Sequence, residues 1–198
     1  MLGGFRIIQH NETRDVVAFC MKEAGFNEVE IEPQLQELTG DQFKYKTTNK
    51  ESDARSDIKC NGFWSEKRQA YFDVKVVSPF ARSYSHLTAK ALYKLAEGQK
   101  QREYGPRIRE VEHGDFTPLV FTCARGIAPQ SRLVIKRLAE KLSAKQKIPI
   151  SIASGWLRCR PSFALLRTTI LCVRGTRSRR VSTESNIELA VSAAHMDY

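Results

Sequence analysis

Tyr71-Phe-Asp-Val-Lys-Val-Val77 is the stretch that decides the fold, because it has the composition of a buried β-strand and yet carries two charges. Successive side chains of a strand alternate between its faces, so Asp73 and Lys75 share one face and the even-numbered apolar residues occupy the other. A charge inside a core costs a great deal of free energy unless it is paired or bound to a metal. The stretch therefore predicts a strand that carries a site on one face.

A second short strand with a carboxylate precedes it, in Arg55-Ser-Asp57-Ile-Lys-Cys60. The intervening segment 61–69 contains Asn-Gly and several charges, which is typical of a hairpin connection. Neighbouring strands lie under about 5 Å apart. Asp57 and Asp73 are therefore expected to converge on a divalent cation, with Lys75 beside it.

Two carboxylates and a lysine suit the hydrolysis of a phosphodiester bond. Carboxylate oxygens hold a hard ion such as Mg²⁺ or Mn²⁺. The ion activates water and neutralises the charge that builds on the phosphate, and an ammonium group adds to this stabilisation. The alternative interpretation is a surface hairpin with a cross-strand Asp–Lys pair.

The segments upstream of the hairpin predict a helix followed by a strand. Asn11-Glu-Thr-Arg-Asp15 has the N-cap and acidic first turn of a helix start, and Gly25 is a suitable end. Residues 26–32 alternate like an exposed edge strand. Glu12 in the first turn is either a residue that complements the helix dipole or a ligand of the site.

The segments downstream predict further helices and one more strand. Apolar spacing predicts a helix from His86 to Tyr104, ended by Gly105-Pro106, with Lys100 and Tyr104 on one face. Residues 117–123 predict a buried strand. Residues 131–144 predict an amphipathic helix with Leu133 turned inward, and residues 156–174 predict another helix, bent or begun at Pro161.

The expected fold is therefore α/β (α+β), with a central mixed sheet of about four strands flanked by helices. One domain over residues 1–177 and a mobile tail over residues 178–198 are expected, because the tail has few large apolar residues. Five scattered cysteines without a C-x-x-C pair make a zinc or disulfide framework improbable. Without a signal peptide or a long apolar segment, an intracellular protein without membrane contact is expected.

An ordered set of motifs sharpens this interpretation. The set comprises Gly3-Gly-Phe5, Arg6-x-x-x-His10-Asn11-Glu12-x-Arg14-Asp15, Ile31-Glu-Pro-x-Leu-Gln-x-Leu-Thr-Gly40, Ala54-Arg-x-Asp57-Ile, Asn61-Gly-Phe-Trp64, Phe72-Asp-Val-x-Val76, Arg109-Glu-Val-Glu-His-Gly-x-Phe-Thr-Pro-Leu-Val-Phe121 and Trp156-Leu-Arg-Cys-Arg160. The order of elements resembles the core of the PD-(D/E)xK, or restriction-like, nuclease superfamily. The whole chain from about residue 3 to 177 looks like the endonuclease-like domain that follows reverse transcriptase in retrotransposon-derived polyproteins.

The resemblance implies a function and a set of site residues. It implies a domain that nicks target DNA for integration in the nucleus, as part of a larger polyprotein with reverse transcriptase. Catalytic residues would be Glu12, Asp57, Asp73, Lys75, Lys100 and Tyr104, with Glu12, Asp57 and Asp73 as metal ligands. Relatives often have arginine at the position of Lys75, and the catalytic lysine can lie on the following helix, so Lys75 and Lys100 are rivals.

The charge of the chain is concentrated in its last third. Residues 1–123 are electrically neutral, and residues 124–198 carry the whole net charge of +10. A basic surface of this kind is typical of a DNA-binding protein, although it is also compatible with a solubility role. The candidate DNA contacts are Arg14, Arg102, Arg158, Arg160 and Arg167.

Three functions are compatible with the sequence. The first is a metal-dependent DNA endonuclease, and the second is a catalytically inactive DNA-binding relic of such a domain. The third is a nuclease similar to Holliday-junction resolvases, which share the helix–strand–hairpin core. A homodimer is compatible with all three.

Overall fold

The computed structural model describes residues 3–174. In chain order, its elements are α1 (Gly3–Glu23), β1 (Asn27–Ile31), a short 3₁₀ helix (Gly40–Lys44), β2 (Ile58–Asn61), β3 (Gln69–Val77), α2 (Ala89–Glu110), β4 (Asp115–Thr122), α3 (Pro129–Gln146) and α4 (Ile150–Arg174). No helix within these residues has the length and apolarity that crossing a bilayer would need.

The four strands form one mixed sheet in the order β1-β2-β3-β4. β1 pairs with β2, and β2 with β3, in antiparallel fashion, whereas β3 and β4 are parallel. The parallel pair is possible because α2 connects its two strands and returns the chain to the same end of the sheet. The expected α/β fold, with a four-stranded mixed sheet and flanking helices, is confirmed.

The two faces of β3 have different neighbours, as its alternation predicts. Phe72 and Val74 lie in the main core with side chains of α1, α3 and α4. Tyr71 and Val77 pack instead under side chains of α2. We call the second side, which also carries Asp73 and Lys75, the α2 face of the sheet. The hairpin of β2 and β3 and the face assignment of β3 are both confirmed.

α1 begins at Gly3, so the predicted helix start at Asn11 is wrong. The added turns are held by tertiary contact, since the buried Gln9 donates a hydrogen bond from Nε2 to Thr169 Oγ1 of α4 at 3.1 Å. Packing of this kind overrides a local capping signal. The end of the helix is as predicted, and Gly25 follows it with a φ of +87°.

α2 continues through Gly105-Pro106 to Glu110, so the predicted stop is wrong. A proline has no N–H and leaves the carbonyl four residues earlier without its helical donor. Here the Thr48 N–H donates to that carbonyl, on Arg102, at 3.1 Å. The loop before β2 thus supplies the donor that Pro106 lacks.

That loop is fastened to α2 by a buried arginine. The Arg107 side chain is fully buried, and its guanidinium donates to the carbonyl oxygens of Gln36 at 2.7 Å and Glu51 at 2.9 Å. Burial lowers the pKa of Arg107. A segment that the sequence presents as a polar loop is therefore held in place over the C-terminal half of α2.

One expectation for α3 is wrong, and the predicted helix over residues 156–174 is present but begins earlier. Leu133 does not turn inward, because 58% of it is exposed while Leu138 and Leu142 fill the core side of α3. α4 begins at Ile150 and runs unbroken past Pro161, which lies inside the helix. α4 packs on α1 and α3, away from the α2 face. The tail expected over residues 178–198 lies outside the described residues.

Candidate active site

Asp57 and Asp73 are brought together by the register of the hairpin. Ile58 pairs with Phe72, so the next residues outward, Asp57 and Asp73, lie opposite each other. Directly opposed residues of an antiparallel pair project from the same face. The Asp57 carboxylate also accepts the Val74 N–H at 2.6 Å, which fixes it against β3.

Asp73 is a nearly buried carboxylate, with 3% of its surface exposed. Burial, reinforced by the charge of Asp57, raises the pKa of Asp73 to about 7. Lys100 of α2 opposes this rise, since its Nζ lies 2.9 Å from Asp73 Oδ2. The two groups form an ion pair without good hydrogen-bond geometry, so this buried oxygen has no hydrogen-bond partner.

Lys100 lies between two acids. Its Nζ is 3.0 Å from Glu103 Oε2 in addition to its contact with Asp73. Burial alone would disfavour the ammonium, but the two carboxylates raise the pKa of Lys100 above its ordinary value. Lys100 is therefore a permanently charged group held against Asp73.

Lys75 lies on the same face but has a different environment. Its Nζ donates to Gln99 Oε1 of α2 at 2.6 Å. Burial and the nearby charge of Lys100 lower the pKa of Lys75. It lines a cavity of about 460 Å³ together with Thr48, Gln99 and Arg102. The two rival lysines thus lie on the same face of the sheet. Lys100 contacts the Asp73 carboxylate, and Lys75 lines the cavity.

Tyr104 shares a face of α2 with Lys100, as predicted, and its ring packs beside the Lys100 ammonium group. The Tyr104 ring packs on Phe116 of β4 with centroids 5.7 Å apart, and the Lys100 ammonium lies 5.2 Å from the Tyr104 centroid. Burial raises the pKa of the Tyr104 hydroxyl. The geometry gives Tyr104 a supporting position rather than one in direct contact with the carboxylates.

His10 is a site residue that the sequence analysis missed. Its Nε2 lies 3.1 Å from Asp57 Oδ2, and this hydrogen bond raises the pKa of His10 although burial opposes the change. A helix started at Asn11 leaves His10 outside the helix, with no assigned face. With the helix extended back to Gly3, His10 lies one turn before Arg14 and on the same side of the helix. This four-residue spacing is the sequence signal that would have identified His10 as a candidate site residue.

Glu12 does not join the two aspartates. Arg167 of α4 binds its carboxylate, with Nη2 2.8 Å and Nε 3.2 Å from Oε2. Residues two apart on a helix project roughly 200° apart, so Glu12 cannot share the direction of His10. Within residues 3–174, no three His, Cys, Asp or Glu side chains converge as a metal-binding cluster. The expectation that Glu12 completes a three-ligand site is therefore corrected.

The remaining donor set still suits a magnesium-like ion. Mg²⁺ is usually bound through one or two carboxylates, with waters and substrate oxygens completing its shell. Asp57 and Asp73 supply the two carboxylates, and the buried Asp73 Oδ2 is contacted by Lys100 Nζ at 2.9 Å. Lys100 already lies beside that oxygen, so an ion bound there would have to share the oxygen with the ammonium group or displace the ammonium group.

Most of the predicted DNA contacts are engaged within the chain. Arg14 is buried and binds Asp15 and Glu32. The guanidinium of Arg160 stacks on Trp156 at 3.6 Å from the ring centroid and also contacts Phe19. Trp156, with 36% of its surface exposed, is a platform for Arg160 rather than a fully buried residue.

The arginines of α4 also lie on the wrong side of the sheet. α4 packs on α1 and α3, whereas Asp73 and Lys100 lie on the α2 face. Arg158 is exposed but belongs to that remote layer, and Arg167 is occupied by Glu12. The phosphate contacts expected of Arg158, Arg160 and Arg167 stay predictions, and all three residues belong to a helix that packs on the side of the sheet opposite the α2 face. Exposed basic residues nearer the site are Lys90, Lys94 and Arg102 of α2.

No protein-family model and no curated protein matches this chain in sequence.

Proposed function

We propose that this chain is a metal-dependent DNA endonuclease that hydrolyses phosphodiester bonds. The observation that carries the proposal is the opposition of Asp57 and Asp73 across β2 and β3, with Lys75 and Lys100 on the same face. Two carboxylates with two ammonium groups on one face of the sheet, one of them Lys75 at the edge of a cavity, match the needs of a reaction that builds negative charge on phosphate.

Asp57 and Asp73 would hold Mg²⁺ or Mn²⁺, which when bound activates water and neutralises charge on the phosphate. His10 orients the Asp57 carboxylate through its Nε2 contact. Lys75, at the cavity, is placed to stabilise the charge of the scissile phosphate. Lys100 favours the ionised form of Asp73 and so opposes the rise in pKa that burial causes, because an adjacent cation stabilises the carboxylate.

The DNA partner is proposed to run along α2. Lys90, Lys94 and Arg102 are exposed on this helix, and Arg102 lines the cavity beside Lys75. Contacts of this kind bind phosphates without reading sequence. A role in nicking target DNA for retrotransposon integration, in the nucleus, rests on the motif resemblance described above.

A second candidate function, an inactive DNA-binding domain, is favoured by the ion pairs that the site carboxylates form within the chain. Lys100 already neutralises Asp73, and the expected third carboxylate, Glu12, is bound to Arg167. A domain that had lost its metal would retain the fold and the basic surface of α2 and would bind DNA without cutting it.

A plasmid-nicking assay with Mg²⁺ or Mn²⁺ tests the proposal. Asp73→Asn should lower the nicking rate by roughly 10³-fold, the scale on which removal of one electrostatic stabiliser acts. Asp53→Asn is the matched control, because Asp53 is exposed in the loop before β2. Equal nicking by both variants would exclude the Asp73 site.

DNA binding measured on the same proteins separates the candidates. Binding that persists in Asp73→Asn while nicking is lost supports the endonuclease. Binding without nicking by the wild type under either metal supports the inactive relic, and neither activity excludes both. A four-way junction cut in preference to linear duplex would identify a resolvase-like substrate.

A further inference from the structure

α4 has apolar side chains on two opposite faces. One face packs on α1 and α3 through buried residues that include Ala153, Leu157 and Leu165. The other is exposed and carries Ile152, Trp156, Cys159, Phe163, Leu166, Ile170 and Val173. We call this second set the α4 stripe. A helix that is apolar all round is normally buried all round.

The spacing of the α4 stripe specifies what covers it. Its members follow one another at alternating steps of four and three residues from Ile152 to Val173. This is the 3.5-residue repeat of a coiled-coil seam, sustained over about three heptads. A flat or irregular partner has no need of such a repeat. The covering element is therefore a helix roughly 30 Å long.

A second copy of the chain brings a helix that carries the same stripe. α4 itself has the required length and the required repeat. We infer that the protein forms a homodimer in which the α4 stripes of two copies pack against each other.

The charges beside the stripe select a parallel arrangement. With Trp156, Phe163 and Ile170 at a positions, the e positions from 160 onward are Arg160, Arg167 and Arg174, and the g positions are Gly155, Ser162 and Thr169. An antiparallel pair of helices would face arginine with arginine, whereas a parallel pair faces each arginine with an uncharged residue. α4 contains no acidic residue that would reverse this preference.

The two flanking arginines nearest the centre are already neutralised. Arg160 lies 3.9 Å from Glu23, and Arg167 lies 2.8 Å from Glu12, both on α1 of the same chain. These ion pairs weaken the repulsion between facing arginines in an antiparallel pair, and the parallel pair remains the arrangement in which no arginines face each other. The e-position arginines that looked like DNA contacts in the sequence become the border of an interface.

The dimer has a consequence for the proposed nuclease. The α4 stripe faces away from α1 and α3, and Asp73 lies on the α2 face beyond them. Two copies joined through α4 would hold their sites on opposite outer sides of the dimer. They would then engage two DNA segments, and each copy would cut one strand independently. This consequence rests on the proposed function, whereas the dimer does not.

Sedimentation velocity of the full chain over a range of concentrations tests the dimer. Phe163→Glu should weaken dimerisation by roughly 100-fold, because each dimer loses two buried aromatic side chains, each worth at least tenfold. Val173→Glu, at the exposed end of the stripe, should act in the same direction. Leu133→Glu is the matched control, since Leu133 on α3 is as exposed as the stripe residues but lies outside it.

Several outcomes would overturn the inference. They are a wild type that stays monomeric at every concentration, or a Phe163→Glu protein that dimerises like Leu133→Glu. Because dimerisation is measured without DNA or metal, its failure is separate from failure of the nuclease proposal. Retained helicity and melting temperature in the variants would establish that only association has changed.

Cys159 reports the orientation of the helices. In a parallel dimer the two Cys159 thiols, at d positions, face each other. A short bismaleimide, which adds to two thiols without an oxidant, should join two copies of a Cys123→Ser, Cys172→Ser variant. Loss of the crosslinked species on adding Cys159→Ser would confirm its origin. A dimer that gives no crosslink would overturn the parallel arrangement.

Discussion

α2 and α4 are both long helices with an internal proline, yet they place their side chains in opposite ways. α2 buries charged groups, including the fully buried Arg107 and the largely buried Lys100. α4 exposes apolar groups, with Phe163 68% and Val173 82% exposed. In α2 each buried charge has a partner within the chain, whereas the exposed face of α4 has none among residues 3–174. The difference is between a helix whose buried charges are paired within the chain and a helix whose apolar face is open to solvent.

The largest expected effect on stability is at Arg107. Arg107→Ala should lower the free energy of unfolding by about 3–4 kcal/mol, because it leaves the buried carbonyls of Gln36 and Glu51 without donors. Chemical denaturation measures the change. Arg109→Ala, exposed two residues further along α2, should change the value by less than about 0.5 kcal/mol. Equal effects would mean that the loop before β2 is not held by Arg107.

The two lysines of the site should differ in stability as well as in chemistry. Lys100→Met should lower the free energy of unfolding by about 2–3 kcal/mol at pH 8, because it leaves the buried Asp73 carboxylate without its cation. Lys75→Met should cost less than about 1 kcal/mol, since burial already disfavours its charge. Nicking assays on the same variants identify the catalytic lysine, and loss with Lys75→Met despite an intact fold would assign it to Lys75. A larger stability loss at Lys75 than at Lys100 would contradict the ion-pair geometry.

The sequence was sufficient for the parts of the fold that depend on local alternation. The strand at Tyr71–Val77, its hairpin with β2 and the opposition of Asp57 to Asp73 follow from a period of two and a turn signal. These features need no knowledge of distant contacts. The buried strand β4 and the helix α3 were predicted for the same reason.

The errors arose where a distant segment decides the local structure. The start of α1 depends on a contact between Gln9 and Thr169, and the continuation of α2 past Pro106 depends on Thr48. No window of sequence contains both partners of either contact. The missed His10 follows from the wrong helix start, whereas Glu12 was assigned to the site from the motif resemblance. The side of the sheet on which the α4 arginines lie was also not predicted, because the sequence does not reveal which side of the sheet a helix covers.

Asp73 should make the protein less stable as the pH rises. Its pKa is raised to about 7 in the folded protein, above the ordinary value of an unfolded aspartate. The unfolded chain therefore ionises first, and stability present below about pH 4 is lost as the pH rises toward 7. Asp73→Asn should accordingly be more stable than the wild type at pH 8, with the difference disappearing near pH 4.

Denaturation of wild type and Asp73→Asn at several pH values checks this. His10, whose pKa is also raised, adds to the wild-type slope in the same direction, so the difference between the proteins is the quantity to follow. A variant that is less stable than the wild type at pH 8 would show that the Lys100 pair outweighs the burial of Asp73. The expected gain in stability with loss of nicking would mark Asp73 as a residue kept for function.

The smallest effect is expected on the exposed face of α4, and it sharpens the contrast with α2. Phe163→Ala should change the free energy of unfolding by less than about 0.5 kcal/mol at a protein concentration low enough to dissociate a dimer, because this side chain buries little surface within one copy. Leu157→Ala, six residues earlier on the buried face, should cost about 3 kcal/mol by leaving a cavity. At high protein concentration the Phe163→Ala variant should have a lower free energy of unfolding than the wild type, because only the wild type gains stability from association. A cost above about 1 kcal/mol for Phe163→Ala at low concentration would place the side chain in the core of the single copy, and α4 would then need no partner.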